Sequence, residues 1–306
     1  KCFFNNSYYN FKNINKRLLN SSTMMNDVST THILKKHVIQ STDSVQLCVH
    51  EFIPRVTKSN CKRKLLLAHA TMFHGLIYSD LVRQFENRHC FSLDFRGFGD
   101  SSRGTLTTPS WHGFKDDVLA VIDQFDLRGC DGIGHSKGAA SILLAEACRP
   151  GSFNRLVCFE PIVFPGTGNM QMDEHPYAVQ ARRRKFKFDS RRQALERFQA
   201  SQSLRRLEPN VLQSYVEHGL KECDDGSFEL KAERLWEAQV YVNGGAPHEN
   251  FDQIQCPVLI VVGGLHGSEF AATPASFAPK IAKLIRNSKV LTMPNATHFG
   301  ALEDSK

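Results

Sequence analysis

The stretch Asp131-Gly-Ile-Gly-His-Ser136-Lys-Gly-Ala-Ala140 decides how the rest of this 306-residue sequence is interpreted. It contains the pattern Gly-x-Ser-x-Gly, with Ser136 between Gly134 and Gly138. The pattern is informative where a buried strand precedes it and a helix follows it. Both are predicted here, because a short strand ends at Gly134 and a helix-favouring run after Gly138 continues to Pro150. The sequence therefore predicts a sharp strand-to-helix turn that carries a serine.

The chemistry of a serine explains the residues around it. A serine hydroxyl is a weak nucleophile and must project toward a base. A tight turn achieves this projection, and Gly134 and Gly138 omit the β-carbons that would clash around it. The helix that begins at Lys137 directs its free N–H groups toward negative charge that develops near the serine. Ser136 is therefore the candidate nucleophile.

Strand and helix patterns alternate from about residue 65 to 160, which predicts a mostly parallel sheet. In such sheets the functional site lies beyond the carboxyl ends of the strands. Four polar residues fall just past predicted strand ends and should meet at one edge: Thr71, Arg96, Ser136 and Glu160. Further predicted elements are two strands within 38–54, a strand at 258–262, a helix at 274–285 and a strand at 290–293.

Residues 165–250 interrupt this alternation. The stretch is predicted to form helices around 177–201, 210–220 and 232–242. Its first half is basic and its second half acidic, so the charges largely cancel. Such charge runs are typical of solvated helix faces.

Composition excludes several classes of protein. Hydrophobic residues make up 41% and charged residues 23% of the chain, and no apolar run is long enough to span a bilayer. The net charge of +7 comes without a basic face interleaved with aromatic residues, so no nucleic-acid partner is predicted. The nine cysteines include no C-x-x-C pair, which favours a reducing compartment. We predict a cytoplasmic protein; residues 1–35 are interpreted as a disordered or leader segment, with a mitochondrial transit peptide as the alternative.

Five pieces of the chain, in this order, resemble the α/β-hydrolase superfamily, in particular serine hydrolases of the AB hydrolase-1 type with a helical cap. They are residues 65–75, Asp94-Phe-Arg-Gly-Phe-Gly-Asp-Ser101, Gly134-His-Ser-Lys-Gly138, Cys256-Pro-Val-Leu-Ile-Val-Val-Gly263 and Ala296-Thr-His-Phe-Gly300. The resemblance implies an α/β-hydrolase core over 36–164 and 251–306. It also implies a helical cap over 165–250, inserted after the sixth strand.

The resemblance implies a base at His298, on the loop after the last strand, since this fold uses the order serine, acid, histidine. The usual position of the acid, just after the strand at 258–262, holds no Asp, and His266 stands near it. Two carboxylates are candidates for the acid. Glu160 ends an apolar strand beside the serine strand and is preferred, and Glu269 is the alternative.

The resemblance further implies an oxyanion hole of two backbone N–H groups. One belongs to Lys137, the residue after the serine. The other is expected in the turn after residues 65–69, at Thr71 or, if the loop is offset, at Met72.

These features predict a carboxylesterase-like serine hydrolase that cleaves a carboxylic ester or related acyl bond through an acyl-enzyme. No metal and no cofactor are expected, and the predicted partner is a small, apolar ester substrate. A C–C bond hydrolase or a thioesterase is one alternative. A non-catalytic ligand-binding or scaffold protein is the other, because fold alone does not fix function. The sequence does not predict the oligomeric state.

Overall fold

The structure is a computed structural model that describes residues 30–56, 63–166, 175–265 and 273–303. The strands in these ranges are β1 (His32–Gln40), β2 (Gln46–Pro54), β3 (Leu65–Ala68), β4 (Cys90–Leu93), β5 (Cys130–His135), β6 (Phe153–Phe159), β7 (Lys187–Phe188), β8 (Leu220–Glu222), β9 (Phe228–Leu230), β10 (Val258–Gly263) and β11 (Ser288–Met293). The helices are α1 (Ser79–Arg83), α2 (Trp111–Gln124), α3 (Lys137–Cys148), α4 (Pro176–Arg183), α5 (Arg191–Gln199), α6 (Pro209–Gly219), α7 (Arg234–Val242) and α8 (Pro274–Leu284).

Eight strands form one central sheet in the order β1-β2-β4-β3-β5-β6-β10-β11. The pairs β1/β2 and β2/β4 are antiparallel, and every other neighbouring pair is parallel. The predicted mostly parallel sheet flanked by helices is therefore confirmed. The parallel strands bring their carboxyl ends to a common edge, which is where ligand sites form in sheets of this kind.

Strand β3 shows why the sheet needs cover on both faces. All four of its residues are buried, and successive side chains point to opposite faces. Leu66 and Ala68 belong to the larger hydrophobic cluster with α2 and α3, whereas Leu65 and Leu67 belong to the cluster that includes α5 and α6. A continuous apolar run is the expected sequence for a strand packed on both sides.

The insertion between β6 and β10 contains helices and a small sheet. The sequence predicted helices alone, but the predicted helix around 177–201 is split into α4 and α5 by β7, which pairs with β9 and β8 in an antiparallel sheet. Strands of two or three residues are too short to show a period of two, so the pattern did not reveal them. The one available signal was Asp225-Gly226, a hairpin dipeptide in which Gly226 has a φ of 77°.

The insertion packs against loops that follow β3 and β4. Helix α6 lies on the 3₁₀ turn Gly75–Tyr78, and the Ser214 hydroxyl donates to the carbonyl of Leu76 at 2.8 Å. From α7, the Trp236 indole N–H donates to the carbonyl of Arg96 at 3.1 Å. These contacts place the insertion against the loops at the carboxyl edge of the sheet.

The Arg96 guanidinium is fully buried and joins three segments that are distant in the chain. It donates to Asp117 of α2 at 2.7 Å, and to Thr42 and Asp43 in the turn between β1 and β2, each at 2.9 Å. A buried guanidinium is tolerated when its donors are paired in this way. Arg96, which follows a strand end as predicted, holds the loop after β4 to α2 and to the first hairpin.

The first strand begins earlier than the predicted start of the core at residue 36. His32 is fully buried, pairs with Pro54 of β2 and donates a ring N–H to the carbonyl of Arg88 at 3.0 Å. Residues 32–35 therefore belong to the sheet, while the rest of the predicted leader up to residue 29 lies outside the described residues. Across the described ranges, the helices are too short or too polar to cross a bilayer.

Candidate functional site

Ser136 occupies the sharp turn that the sequence predicted, between β5 and α3. Its backbone has φ 56° and ψ −115°, a left-handed conformation that is strained for any residue with a β-carbon. The flanking glycines are required by close packing. A β-carbon at Gly134 would lie 2.6 Å from the Cα of Ala139, and one at Gly138 would collide with the carbonyl oxygen of Ala68. Small residues therefore let the turn sit tightly against β3 and α3.

His298 lies between Ser136 and Glu160, although the three residues are far apart in the chain. Its Nε2 is 3.1 Å from the Ser136 Oγ, and its Nδ1 is 2.6 Å from the Glu160 Oε2. Because an ionised carboxylate only accepts, Nδ1 carries the proton and Nε2 is left to accept from the serine hydroxyl. The His298 side chain is 32% exposed, while Ser136 is 4% exposed. The site thus has an opening on the histidine side.

Glu160 is held rigidly at the end of β6. Its side chain is buried, and its backbone has a φ of 42°, which is in the left-handed region like that of Ser136. The Oε1 accepts from the Gly263 N–H at 2.8 Å, so both carboxylate oxygens have partners. Burial of a carboxylate is tolerated because it is fully hydrogen-bonded.

Gly263 is a site residue that the sequence analysis did not identify. A β-carbon there would lie 2.5 Å from the carbonyl oxygens of Ala296 and Thr297, so only glycine lets the His298 loop approach β10 this closely. The consecutive glycines at the end of this strand were the available signal. The alternative acid Glu269, and His266 beside it, lie outside the described residues.

The expected oxyanion donors flank the serine turn. Lys137 is the first residue of α3, where N–H groups have no partner within the helix. Thr71 is buried in the turn after β3, and Met72 next to it has a φ of 72°. Within the described ranges, none of these three N–H groups donates to another residue. Each is therefore free to donate to a bound group.

Two buried histidines brace the site. The His69 Nε2 accepts from the Phe95 N–H at 3.0 Å, which leaves Nδ1 protonated to donate to the Ala70 carbonyl at 2.7 Å. His135 donates from Nε2 to the carbonyl of His298 at 2.7 Å and so holds the histidine loop. Burial lowers the pKa of His69 well below its usual value and that of His135 to about 3. Both rings are neutral at physiological pH.

One group of potential metal ligands occurs in the described part of the chain, and it is buried away from Ser136. It consists of Cys48, His50 and Asp94. Asp94 already accepts from the N–H groups of Gly75 at 2.6 Å and Asp100 at 2.8 Å, and lies 3.2 Å from the His50 Nε2. Burial raises the pKa of the Cys48 thiol far above its usual range, so it stays protonated. The donors fit a structural brace better than a metal site.

A model of the alpha/beta hydrolase family matches residues 65–306, and the chain belongs to this family. Human monoglyceride lipase is 32% identical over 108 residues, which is 33% of this chain and 36% of the lipase. The chain therefore matches only about a third of the length of that relative.

Solved structures of hydrolases share the whole fold at low identity. The peroxisomal alpha-beta-hydrolase Lpx1 from Saccharomyces cerevisiae aligns with a TM-score of 0.71 and 17% identity, over 89% of this chain and 84% of Lpx1. E-2-(acetamidomethylene)succinate hydrolase aligns with a TM-score of 0.68 and 18% identity, over 88% of this chain and 94% of that enzyme. At such identities the likeness establishes the fold, and the chemistry has to be argued from the site.

Proposed function

We propose that this protein is a serine hydrolase of the carboxylesterase class, which cleaves a carboxylic ester or related acyl bond through an acyl-enzyme. The observation that carries the proposal is the position of His298, which contacts the Ser136 hydroxyl at 3.1 Å and the Glu160 carboxylate at 2.6 Å. A nucleophile, a base and an orienting acid within hydrogen-bond distance define this class of catalyst.

In the proposed mechanism, the Ser136 Oγ attacks the ester carbonyl carbon while its proton passes to the His298 Nε2. The Glu160 carboxylate stabilises the imidazolium that forms. The carbonyl oxygen becomes an oxyanion that accepts from the N–H of Lys137 and from that of Thr71, or of Met72 if the turn is offset. The oxyanion collapses, the C–O bond to the alcohol breaks, and the imidazolium protonates the leaving alcohol.

Water then completes the cycle. It attacks the acyl-enzyme carbonyl and gives a proton to the His298 Nε2, and collapse of the second oxyanion returns that proton to the Ser136 Oγ as the carboxylic acid leaves. A serine nucleophile suits acyl transfer, because the acyl ester it forms has a carbonyl that water can attack. Every step uses side chains and N–H groups of this chain.

The test is labelling with a fluorophosphonate probe, which reacts with an activated serine hydroxyl. We expect the wild type to be labelled and Ser136→Ala and His298→Ala to be unlabelled. Absence of labelling in folded wild-type protein would instead support the non-catalytic alternative. Comparing matched oxygen esters, thioesters and β-diketones then separates an esterase from a thioesterase and from a C–C bond hydrolase.

Monoacylglycerols are the first natural esters to assay, because the relative that matches part of this chain is named a monoglyceride lipase. For the compartment we retain the cytoplasm. This is supported by the seven cysteines in the described residues, all of which are free thiols.

A further inference from the structure

The loop that carries His298 is tied to itself by a buried carboxylate, that of Glu303. The Glu303 side chain is 3% exposed. Its Oε2 accepts from the Thr297 N–H at 3.0 Å, and its Oε1 accepts from the Thr297 hydroxyl. The Thr297 Oγ1 in turn accepts from the Phe299 N–H at 3.2 Å. The residues on either side of His298 are therefore held through one carboxylate.

The backbone of His298 itself is held from β5. His135 donates to the His298 carbonyl at 2.7 Å, so this bond fixes one point of the loop, while Glu303 fixes the residues on both sides of it. The imidazole has little freedom, because its two nitrogens must stay within hydrogen-bond distance of Ser136 and Glu160 at once. A displacement of about 1 Å can reduce a rate about a hundredfold. The alignment of the imidazole therefore depends on both anchors.

Glu303 also joins this loop to the insertion. The Arg206 Nε donates to the Glu303 Oε1 at 3.3 Å, and the Arg206 Nη2 donates to the carbonyl of Asn295 at 2.9 Å. Beside this pair, the Glu208 N–H donates to the carbonyl of Leu302 at 3.0 Å. The chain that leads into α6 thus lies alongside the histidine loop.

Helix α6 contacts the loop on the oxyanion side as well. Its Ser214 hydroxyl donates to the carbonyl of Leu76, in the 3₁₀ turn that follows the expected oxyanion donor Thr71. One segment of the insertion, from Arg206 to Ser214, therefore touches the loop of the base and the loop of the oxyanion donor. If this segment moves, both loops must move with it or these hydrogen bonds must break.

The contacts of Glu303 fit a positioning role. Among the described residues its side chain bonds to Thr297 and Arg206, and not to Ser136 or to the His298 ring. We propose that Glu303 is a positioning residue that keeps His298 aligned with Ser136, and that Arg206 makes this alignment depend on the position of the insertion. The inference rests on the proposed function, since it concerns the same reaction.

The decisive variant is Glu303→Met, which keeps the length of the side chain and removes both acceptor oxygens. We expect kcat for 4-nitrophenyl acetate to fall about 30-fold with KM within about twofold of the wild type, because the base is misaligned while substrate binding is unchanged. The rate constant for labelling by a fluorophosphonate should fall by a similar factor. Rates are normalised to the concentration of folded protein, so a loss of fold does not imitate this pattern.

Glu303→Gln is the conservative variant and should restore most of the rate. Its single oxygen can stay at the Thr297 N–H, which only donates, and the Thr297 hydroxyl can accept from the amide NH₂. The NH₂ then also faces Arg206, whose side chain is 43% exposed and can bind water instead. We expect kcat to fall only about threefold, so the order of activity is wild type, glutamine, methionine.

Arg206→Met tests the link to the insertion. It removes the same ion pair from the other side and should also lower kcat about threefold. Combined with Glu303→Gln, its effect should be less than additive, since both changes break one contact. A double variant that loses the product of the two factors, or an Arg206→Met variant with the wild-type kcat, would overturn the role of Arg206.

Glu146→Met is the matched control. Glu146 is a buried carboxylate that accepts from the N–H groups of Gly151 and Phe153 at the amino end of β6, away from the serine site. This variant should lose stability in urea unfolding, as Glu303→Met does, but keep the wild-type kcat. If Glu303→Met does not fold, Thr297→Val takes its place. It removes one hydroxyl at nearly constant volume and should lower kcat about fivefold.

The outcomes separate the two proposals. If folded wild-type protein cleaves no ester and is not labelled by the fluorophosphonate, the proposed function fails and this inference fails with it. If the wild type is active but Glu303→Met, or Thr297→Val in its place, keeps more than half of the wild-type kcat, the inference alone is overturned. An equal loss of kcat in Glu146→Met would also overturn it, because the loss would then follow from general destabilisation.

Discussion

Replacing Glu160 by Gln removes one charge from the proposed triad and leaves the shape of the side chain. In the wild type, Oε1 accepts from the Gly263 N–H at 2.8 Å and Oε2 accepts from the His298 Nδ1 at 2.6 Å. A glutamine has a single oxygen, and the Gly263 N–H can only donate, so that oxygen stays at Gly263. The amide NH₂ then faces Nδ1, which must accept, and the imidazole proton moves to Nε2. In this tautomer His298 cannot accept the proton of Ser136.

We expect kcat/KM of Glu160→Gln to fall about 10⁴-fold, the effect known for an equivalent wrong-tautomer change in serine proteases. This corresponds to about 5 kcal/mol of transition-state stabilisation. The assay is hydrolysis of a 4-nitrophenyl ester, with rates normalised to the concentration of folded protein. Circular dichroism and urea unfolding verify that the variant is folded.

Glu146→Gln is the matched control. Glu146 is also fully buried. Its carboxylate accepts from the N–H of Gly151, which precedes β6, at 3.0 Å and from the N–H of Phe153, the first residue of β6, at 2.9 Å. It should lose stability but keep the wild-type kcat. If Glu160→Gln retains more than a tenth of the wild-type kcat/KM, the reasoning is refuted. If Glu269→Gln shows the large loss instead, Glu269 is the acid.

Three further predictions concern stability and are measured by urea unfolding. Ser136→Gly should be about 1 kcal/mol more stable than Ser136→Ala. At φ 56° glycine removes a strain energy that is larger than the free energy lost through the greater entropy of the unfolded chain. Equal unfolding midpoints would mean that the turn is unstrained. Burial lowers the pKa of His74 to about 4 and that of His135 to about 3, below the unfolded value near 6.5, so the unfolded state binds more protons as pH falls below about 6.5. Stability should then drop by about 2 kcal/mol per histidine between pH 7.5 and pH 5, and a pH-independent midpoint would contradict this. Lys137→Met should raise the free energy of unfolding by about 1 kcal/mol. The buried amine has no hydrogen-bond partner in the described residues and lies 3.5 Å from the centroid of the Phe95 ring. A decrease of about 1 kcal/mol in the free energy of unfolding would instead show that the aromatic rings stabilise a charged ammonium.

The sheet and the serine turn could be predicted because their signals are local. A continuous apolar run such as that of β3 and a glycine-flanked serine each lie within about ten residues. The order of the serine and the histidine then follows from the resemblance to a known family. The pairing of the acid with the histidine has no such local signal. Glu160 and His298 are separated by 138 positions, and only the folded chain brings them together.

Other contacts, at the site and inside the insertion, have no signal in the sequence. Nothing in the sequence indicates that His135 donates to the carbonyl of His298, or that Arg184 and Tyr215 meet Glu237 inside the insertion. These contacts depend on how α4, α6 and α7 pack, which helical spacing does not specify. The packing inside the insertion is therefore less predictable from this sequence than the serine turn is.

The buried guanidinium of Arg96 has a consequence for how the molecule opens. It pairs with Asp117 and Asp43, and its own carbonyl accepts from Trp236 of α7. Breaking the contact with Asp117 or Asp43 would remove a partner from the buried guanidinium. Breaking the third contact would separate Trp236 from the loop after β4. The amide protons of the first hairpin turn, of α2 and of α7 should accordingly exchange with solvent as a single cooperative unit. The contacts of Arg96 that must break to move the insertion away from the serine are then the same contacts that break on global unfolding.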